Sequence, residues 1–373
     1  MTALGLIVSA SINDEDAARV VRAGRRLGAE IVRRRVADHA QFLAVLDAFP
    51  NASFVLADFL PNATADTGSG ISFAFSAVPD DAPLAPDQRE AAHRRVAGLR
   101  WIQLAAAGVN QEAGSFVWRD VPSIAITTAS GLPSVAMAQY VAGAILDHAH
   151  GFSRLGSYRA TRDWSVRREF RSRVLVGKTV GLLGYGGVGS RVARIAHALG
   201  MRVIAVRRSA DAPEGAPGRY RIPPIEQIDS GEEPAEIWGI DRLDQLLAQS
   251  HYLVCSLPLT AATRGLVGAR ELGMLPEGAF VINVSRGAIF DQDALIDALR
   301  SGHLSGAALD VFDPEPLPAD SALWDLPNVV LTPHSSGTHD HVSDFTADLF
   351  IANMERFLAG GPLLNLADRT LGY

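Results

Sequence analysis

Gly181-Leu182-Leu183-Gly184-Tyr185-Gly186-Gly187-Val188-Gly189 reads as a buried strand running into a glycine turn that opens a helix. The strand spans Thr179 to Leu183, short and apolar, after the turn-forming pair Gly177-Lys178. A helical period takes over at once: Val192, Ile195, Ala196 and Leu199 fall at i, i+3, i+4 and i+7, and Gly200 supplies a C-terminal stop. A second apolar strand, Val203 to Val206, follows. In such a β-α-β unit each glycine has a task. Gly184 permits the tight turn, Gly186 lets the backbone approach a pyrophosphate, and Gly189 allows close packing of helix on strand. The helix N-terminus then offers free N–H groups and a positive dipole end to the phosphates. A glycine-rich loop alone says little, but with strand before and helix and strand after, the stretch Gly184, Gly186, Gly187, Val188, Gly189 predicts dinucleotide binding.

An NAD site places an acid about 20 residues past the glycines, on the ribose 2′-hydroxyl. Here Arg207-Arg208-Ser209 stands in that place. A guanidinium can pair with the 2′-phosphate of NADP through parallel hydrogen bonds, and a neighbouring hydroxyl can add another. Two solvated arginines at a strand end would look the same, but without an acid at this spot the sequence favours NADP(H) over NAD(H).

The 373 residues are enough for two domains with real cores, and 48% hydrophobic with 20% charged content fits a globular protein. A formal net charge of −7 argues against nucleic acid or an anionic membrane as the main partner. The arginines between Arg22 and Arg35 alternate with Leu27, Ile31 and Val32, as on the solvated side of an amphipathic helix and its exit. No apolar run is long enough to span a bilayer, and Met1 to Ser11 lacks the basic lead-in of a signal peptide, so a cytoplasmic location is expected. The single cysteine, Cys255, lies in the apolar run Tyr252 to Leu257 and is expected to be a buried strand thiol. No metal site is expected.

Leu4 to Val8 reads as a first strand and Asp14 to Leu27 as a helix, and the alternation continues to about Ile126, an α/β pattern of its own. Leu132 to His150 is then a long apolar helix, with Pro133 and Ser134 suited to its first turn. The expected division is a substrate domain of residues 1–130, completed by 338–373 with a final helix from His341 to Leu358, and a nucleotide domain of 131–337. Between Ser209 and Gly239 a stretch rich in Pro, Gly and acids is long for a βα connection and reads as a surface insertion.

Three further apolar strands each deliver a polar residue at the carboxyl end. Phe280 to Ser285 leads to Arg286, Gly306 to Leu309 leads to Asp310 and Glu315, and Val329 to Thr332 leads to His334. In an open parallel sheet ligands bind outside that edge, the edge that also carries the glycine turn. An arginine, a carboxylate and a histidine beside a nicotinamide suit reduction of a 2-oxo acid. Arg286 would hold the substrate carboxylate or polarise its carbonyl; His334 would give a proton to the carbonyl oxygen; Glu315 would orient the imidazole and hold its proton by opposite charge. Each residue taken singly has an ordinary structural reading; their common strand edge is what favours the functional one.

The motifs VGKTVGLLGYGGVG, CSLPLTAATRGLVG (Cys255 to Gly268), FVINVSRGAIFD (Phe280 to Asp291), GAALDVFDPEPLP (Gly306 to Pro318) and LTPHSSG (Leu331 to Gly337) resemble the D-isomer-specific 2-hydroxyacid dehydrogenase family, most of all its glyoxylate/hydroxypyruvate reductases. In the N-terminal part the match is thinner, chiefly LRWIQLAAAGVN (Leu99 to Asn110). The resemblance implies a Rossmann-type doubly wound parallel sheet plus a flavodoxin-like α/β substrate domain. It implies Arg286, Glu315 and His334 as the catalytic trio, and backbone N–H groups at Ala106, Ala107 and Gly108 on the substrate carboxylate. It further implies Leu257, Pro258 and Thr263 on the adenine side, Asp310 at the nicotinamide end, and cofactor contacts at Val284, Ser285 and Gly337. A homodimer is implied too. The same fold also resembles nucleotide-sensing corepressors, which makes a cofactor-binding sensor the alternative reading. A formate-type dehydrogenase on this scaffold typically carries Gln where Glu315 stands.

Overall fold

The computed structural model describes residues 2–36, 38–60, 86–109, 112, 114–156, 158–168, 170–208, 218–220, 222 and 235–372. The chain divides into two units, one of Met1–Pro133, Gly215–Ile228 and His339–Tyr373, the other of Ser134–Glu214 and Asp229–Thr338.

The first unit is built on five parallel strands: β1 (Ala3–Ile7), β2 (Ala29–Arg33), β3 (Ala52–Ala57), β4 (Trp101–Leu104) and β5 (Ala125–Thr127), in the order β2-β1-β3-β4-β5. All six residues of β3 are buried, as expected for a strand covered on both faces. The order is that of flavodoxin-like sheets. The final helix, Val342–Leu358, packs on the first, Asp14–Arg26, through Ser343 Oγ to Asp16 (2.6 Å) and an Arg19–Asp348 ion pair. Phe350 of that helix stacks on Trp101 with ring centroids 5.2 Å apart. Beneath it the buried side chains of Trp101, Thr127, Gln103 and Asn353 satisfy one another in a chain of hydrogen bonds, which is how polar groups are accommodated in an apolar core.

The second unit holds seven parallel strands: β6 (Thr179–Leu183), β7 (Arg202–Arg207), β8 (Ala235–Gly239), β9 (Tyr252–Cys255), β10 (Ala279–Asn283), β11 (Leu304–Leu309) and β12 (Val329–Leu331). Their order is β12-β11-β10-β9-β6-β7-β8. The chain winds outward from β6 through β7 to β8, returns, and winds the other way through β9 to β12. The reversal lies between β6 and β9, so the carboxyl ends of these two strands flank the topological switch point where doubly wound sheets bind ligands. The helix Ser134–His150 covers one face, packing Ala138, Val141, Ile145 and Ala149 into a cluster with Val180, Leu182, Val192 and Ala196.

The stretch from Ser209 to Gly239 departs from the expected surface insertion. Its last five residues form β8, paired with β7 from Val203↔Ala235 to Arg207↔Gly239. Period-two alternation accounts for this: Trp238 enters the core on one face of the sheet while Ile237 packs on the other. Earlier in the stretch Ile222 is buried with Ala129, Leu132 and Leu349 in the first unit, and Asn365 bonds to both Gly218 and Tyr220. Residues 209–217 and 223–234 lie outside the described residues. No described helix is long and apolar enough to cross a membrane.

Candidate active site

At the end of β6 the glycines of the turn are fixed by contact. Gly184 has φ +100°, and a Cβ there would meet the Ser256 carbonyl oxygen at 3.1 Å. A Cβ on Gly189 would come within 2.3 Å of the Gly184 carbonyl oxygen, so any side chain would push helix and strand apart. Gly186 caps the helix Gly187–Ala198 without a side-chain hydrogen bond, so no side chain of the cap competes for the first-turn N–H groups. Gly186 is exposed, whereas Val188 packs partly into the core below. This donor set and the missing Cβ atoms fit a pyrophosphate.

Arg207 ends β7 half-buried and Arg208 follows it, exposed; Ser209 lies outside the described residues. Past β9, Thr263 Oγ1 donates to the Pro258 carbonyl at 2.7 Å and accepts from Thr260 N at 2.8 Å. That closes the turn after Leu257, with all three expected adenine-side residues half-buried on its rim.

Arg286 is positioned by a turn at the end of β10 that one buried carboxamide organises. Asn283 Oδ1 accepts from Ser285 N (3.1 Å) and Ser285 Oγ (3.0 Å), and its Nδ2 donates to the Arg286 carbonyl (3.0 Å). Ser285 Oγ also lies 3.2 Å from Cys255 Sγ. Its single proton goes to Asn283, so the thiol donates to it. Burial pushes that thiol up to about 11, consistent with a protonated structural cysteine. Val284 and Ser285 are both buried. The Arg286 guanidinium bonds to the Ser285 carbonyl at 2.7 Å. Burial draws its pKa below the ordinary value and the charge of Glu315 opposes this; the group remains a cation.

Gly287 explains why Arg286 and Glu315 meet. A Cβ at Gly287 would lie 2.0 Å from the Phe312 carbonyl carbon. The segment after β11 therefore rests directly on the backbone beside Arg286. Within it Phe312 N donates to Glu315 Oε1 at 2.9 Å, fixing the carboxylate, whose Oε2 lies 2.9 Å from His334 Nδ1. The two side chains are only 12% and 19% exposed. A carboxylate only accepts, so Nδ1 carries the hydrogen of this contact.

His334 occupies a left-handed backbone conformation, φ +50°. The turn around it is tied to Asp310, which is 1% exposed. Asp310 Oδ1 takes hydrogen bonds from Thr332 Oγ1 (2.6 Å) and Ser335 N (2.8 Å), its Oδ2 takes one from Ser336 N (3.0 Å), and its backbone carbonyl takes His334 N (2.8 Å). Gly337 follows, half-buried. The second unit thus gathers Arg286, Asp310, Glu315 and His334 at the carboxyl edge of β10, β11 and β12. Ala106, Ala107 and Gly108 follow β4 in the first unit, where the Ala106 carbonyl accepts from Ala129 N at 2.9 Å. Asn283, Thr332 and Tyr140 enter the site without having been anticipated. The one sequence signal for Asn283 is a carboxamide closing an otherwise apolar strand.

Residues 142–336, more than half the chain, match the family model described as the NAD binding domain of D-isomer specific 2-hydroxyacid dehydrogenases. A glyoxylate reductase of Aeropyrum pernix is 35% identical over 257 residues, 66% of this chain and 70% of that one. Glyoxylate/hydroxypyruvate reductase B of Pectobacterium atrosepticum is 42% identical over 174 residues; the match spans 46% of this chain and about half the length of that enzyme, 48%. A crystal structure of a D-isomer specific 2-hydroxyacid dehydrogenase from Xanthobacter autotrophicus Py2, in complex with NADPH and MES, superposes with a TM-score of 0.72 at 26% identity, covering 100% of both chains. The chain therefore belongs to the D-isomer specific 2-hydroxyacid dehydrogenases, a family of oxidoreductases.

Proposed function

We propose that this chain reduces a small 2-oxo acid of the glyoxylate or hydroxypyruvate type to the D-2-hydroxy acid, with NADPH preferred to NADH. One observation carries the reading: the 2.9 Å contact of His334 Nδ1 with Glu315 Oε2, in the same unit as Arg286 and the glycine turn. The names of the Aeropyrum and Pectobacterium relatives support the substrate class, and the NADPH-bound Xanthobacter structure supports the cofactor.

Gly184, Gly186, Gly187, Val188 and Gly189 would hold the pyrophosphate, Arg207 and Arg208 the 2′-phosphate, and the bound cofactor would supply the hydride. Asp310, Val284, Ser285 and Gly337 would form the floor at its nicotinamide end. The Arg286 cation pairs with the substrate carboxylate through two parallel hydrogen bonds and fixes the carbonyl's orientation. Protonated at both nitrogens, His334 gives its Nε2 proton to the carbonyl oxygen as the carbon is reduced. Glu315 balances the imidazolium charge before the transfer and keeps the ring oriented through Nδ1. In the reverse direction neutral His334 takes the proton of the hydroxyl.

A panel of 2-oxo acids assayed side by side with NADPH and NADH tests this. Turnover of glyoxylate or hydroxypyruvate at lower NADPH than NADH is expected. Tight cofactor binding without turnover of any small 2-oxo acid would overturn the reading.

A further inference from the structure

The ladder between β11 and β12 is three residues long and ends at Leu309↔Leu331. β12 is the edge of its sheet. The turn that carries His334 begins one residue later, beyond the ladder, with Thr332 N on the Leu309 carbonyl (3.0 Å) and His334 N on the Asp310 carbonyl (2.8 Å) as its main-chain ties to the end of β11. A non-glycine residue at φ +50° persists only where its surroundings fix it. Asp310 provides that through two amide contacts and Thr332.

Thr332 Oγ1 has a second neighbour, the hydroxyl of Tyr140 at 2.9 Å, from the helix Ser134–His150. The hydrogens can be assigned. A carboxylate cannot donate, so the single Thr332 proton lies on the 2.6 Å contact to Asp310, and the 2.9 Å contact is made by the tyrosine's proton. Two hydroxyls donating in the same sense toward a carboxylate strengthen each other. Burial raises the Tyr140 pKa, with the Thr332 contact opposing and the charge of Asp310 adding to it, so the hydroxyl keeps its proton.

We propose that Tyr140 is a positioning residue for His334, acting through Thr332 and Asp310 to hold the turn that aims the imidazole. Tyr140 donates to Thr332, which directs its own proton at Asp310. The carboxylate, thus oriented, receives the amides of Ser335 and Ser336. The covering helix thereby adds a side-chain anchor to an edge turn that lies beyond the ladder of its own strand. This rests on the reading of His334 as the proton donor.

The test compares Tyr140→Phe, Thr332→Val, Thr332→Ser and His334→Ala. It measures kcat and KM with glyoxylate and hydroxypyruvate, and NADPH affinity by fluorescence titration. Tyr140→Phe and Thr332→Val are expected to lower kcat by about tenfold or more, the scale of a catalytic group misplaced by a fraction of an ångström, with NADPH affinity within about twofold of the parent. Thr332→Ser, which keeps the hydroxyl, should restore kcat. Parental kcat in Tyr140→Phe, equal loss in Thr332→Ser and Thr332→Val, or a matching loss of cofactor affinity would overturn the proposal. An inactive His334→Ala beside a fully active Tyr140→Phe refutes the positioning role alone. An active His334→Ala refutes the assignment of the proton donor, and the positioning role with it.

Discussion

His334 Nδ1 and Glu315 Oε2 stand 2.9 Å apart, and the other oxygen of the same carboxylate is held by the amide of Phe312. The pair is therefore oriented from the Glu315 side, and in the proposed mechanism Nε2 does the proton transfer. His334→Ala should lower turnover at least about a hundredfold with cofactor still bound, the usual scale for loss of a general acid. Glu315→Gln keeps the shape but removes the negative charge beside the ring, and should lower kcat at least about tenfold with cofactor affinity unchanged. Steady-state rates, with cofactor titrations of both variants, check this; parental kcat in Glu315→Gln would remove the charge from the mechanism.

Gly287 carries a prediction about the backbone, since a Cβ there would meet the Phe312 carbonyl carbon at 2.0 Å. Backbone cannot step aside as a side-chain tip can. Gly287→Ala should displace the segment bearing Glu315 and reduce kcat at least about a hundredfold, while the glycine turn near β6 still binds NADPH. A variant with parental kcat would show that the contact between these two segments is not what sets the Glu315 carboxylate.

Much of this architecture is legible in the residues. Strands covered on both faces read as continuous apolar runs, so β6, β7, β10 and β11 stand out, as does the short, half-buried edge strand β12, and each polar residue at a carboxyl end is placed by the parallel topology alone. β8 was obscured because Ala235-Glu-Ile-Trp-Gly follows a Pro- and acid-rich stretch, and only its pairing with β7 identifies it. The Tyr140–Thr332 contact joins positions 192 apart through side chains, and no periodicity records such a meeting. The same holds for Gln103 with Asn353, 250 positions apart. Strand ends could be read, but not the hydrogen bonds that tie one strand end to a distant helix.

Arg207 at the end of β7 and Arg208 beside it carry the expected cofactor preference. Replacing both with Ala should raise KM for NADPH at least about tenfold more than KM for NADH, because each charge-assisted contact to a phosphate is worth about 1.5–3 kcal/mol. Parallel kinetics with the two cofactors decide it. Equal losses would mean that the arginines support the fold or the pyrophosphate common to both cofactors.

A buried carboxyl and a half-buried imidazole give the units opposite responses to acid. In the first unit the buried Glu112 carboxyl accepts a hydrogen bond from Leu60 N at 2.9 Å. Burial pushes it from 4.5 up to about 7, with that bond pulling the other way. The folded form binds the proton more tightly than the unfolded one, so its contribution is full below about pH 4.5 and is lost as pH rises through 7. In the second unit His148 bonds to Tyr252 and Ser305 and stacks on Phe280 at 4.1 Å. Burial above all, with the charge of Arg173 adding to it, draws it from 6.5 down to about 4. Its contribution is full above pH 6.5 and is lost as pH falls toward 4. Between pH 4.5 and 6.5 Glu112 should weaken its unit with rising pH while His148 strengthens the other. Glu112→Gln should therefore stabilise the first unit at pH 8 by on the order of 3 kcal/mol relative to its effect at pH 4.5. His148→Gln should flatten the acid slope of the second unit only. Hydrogen exchange of β3 and β10 amides across this range, in the parent and both variants, measures the two slopes separately. Parallel slopes in the two units, unchanged by either substitution, would show that neither group is held in its buried protonation state by the fold.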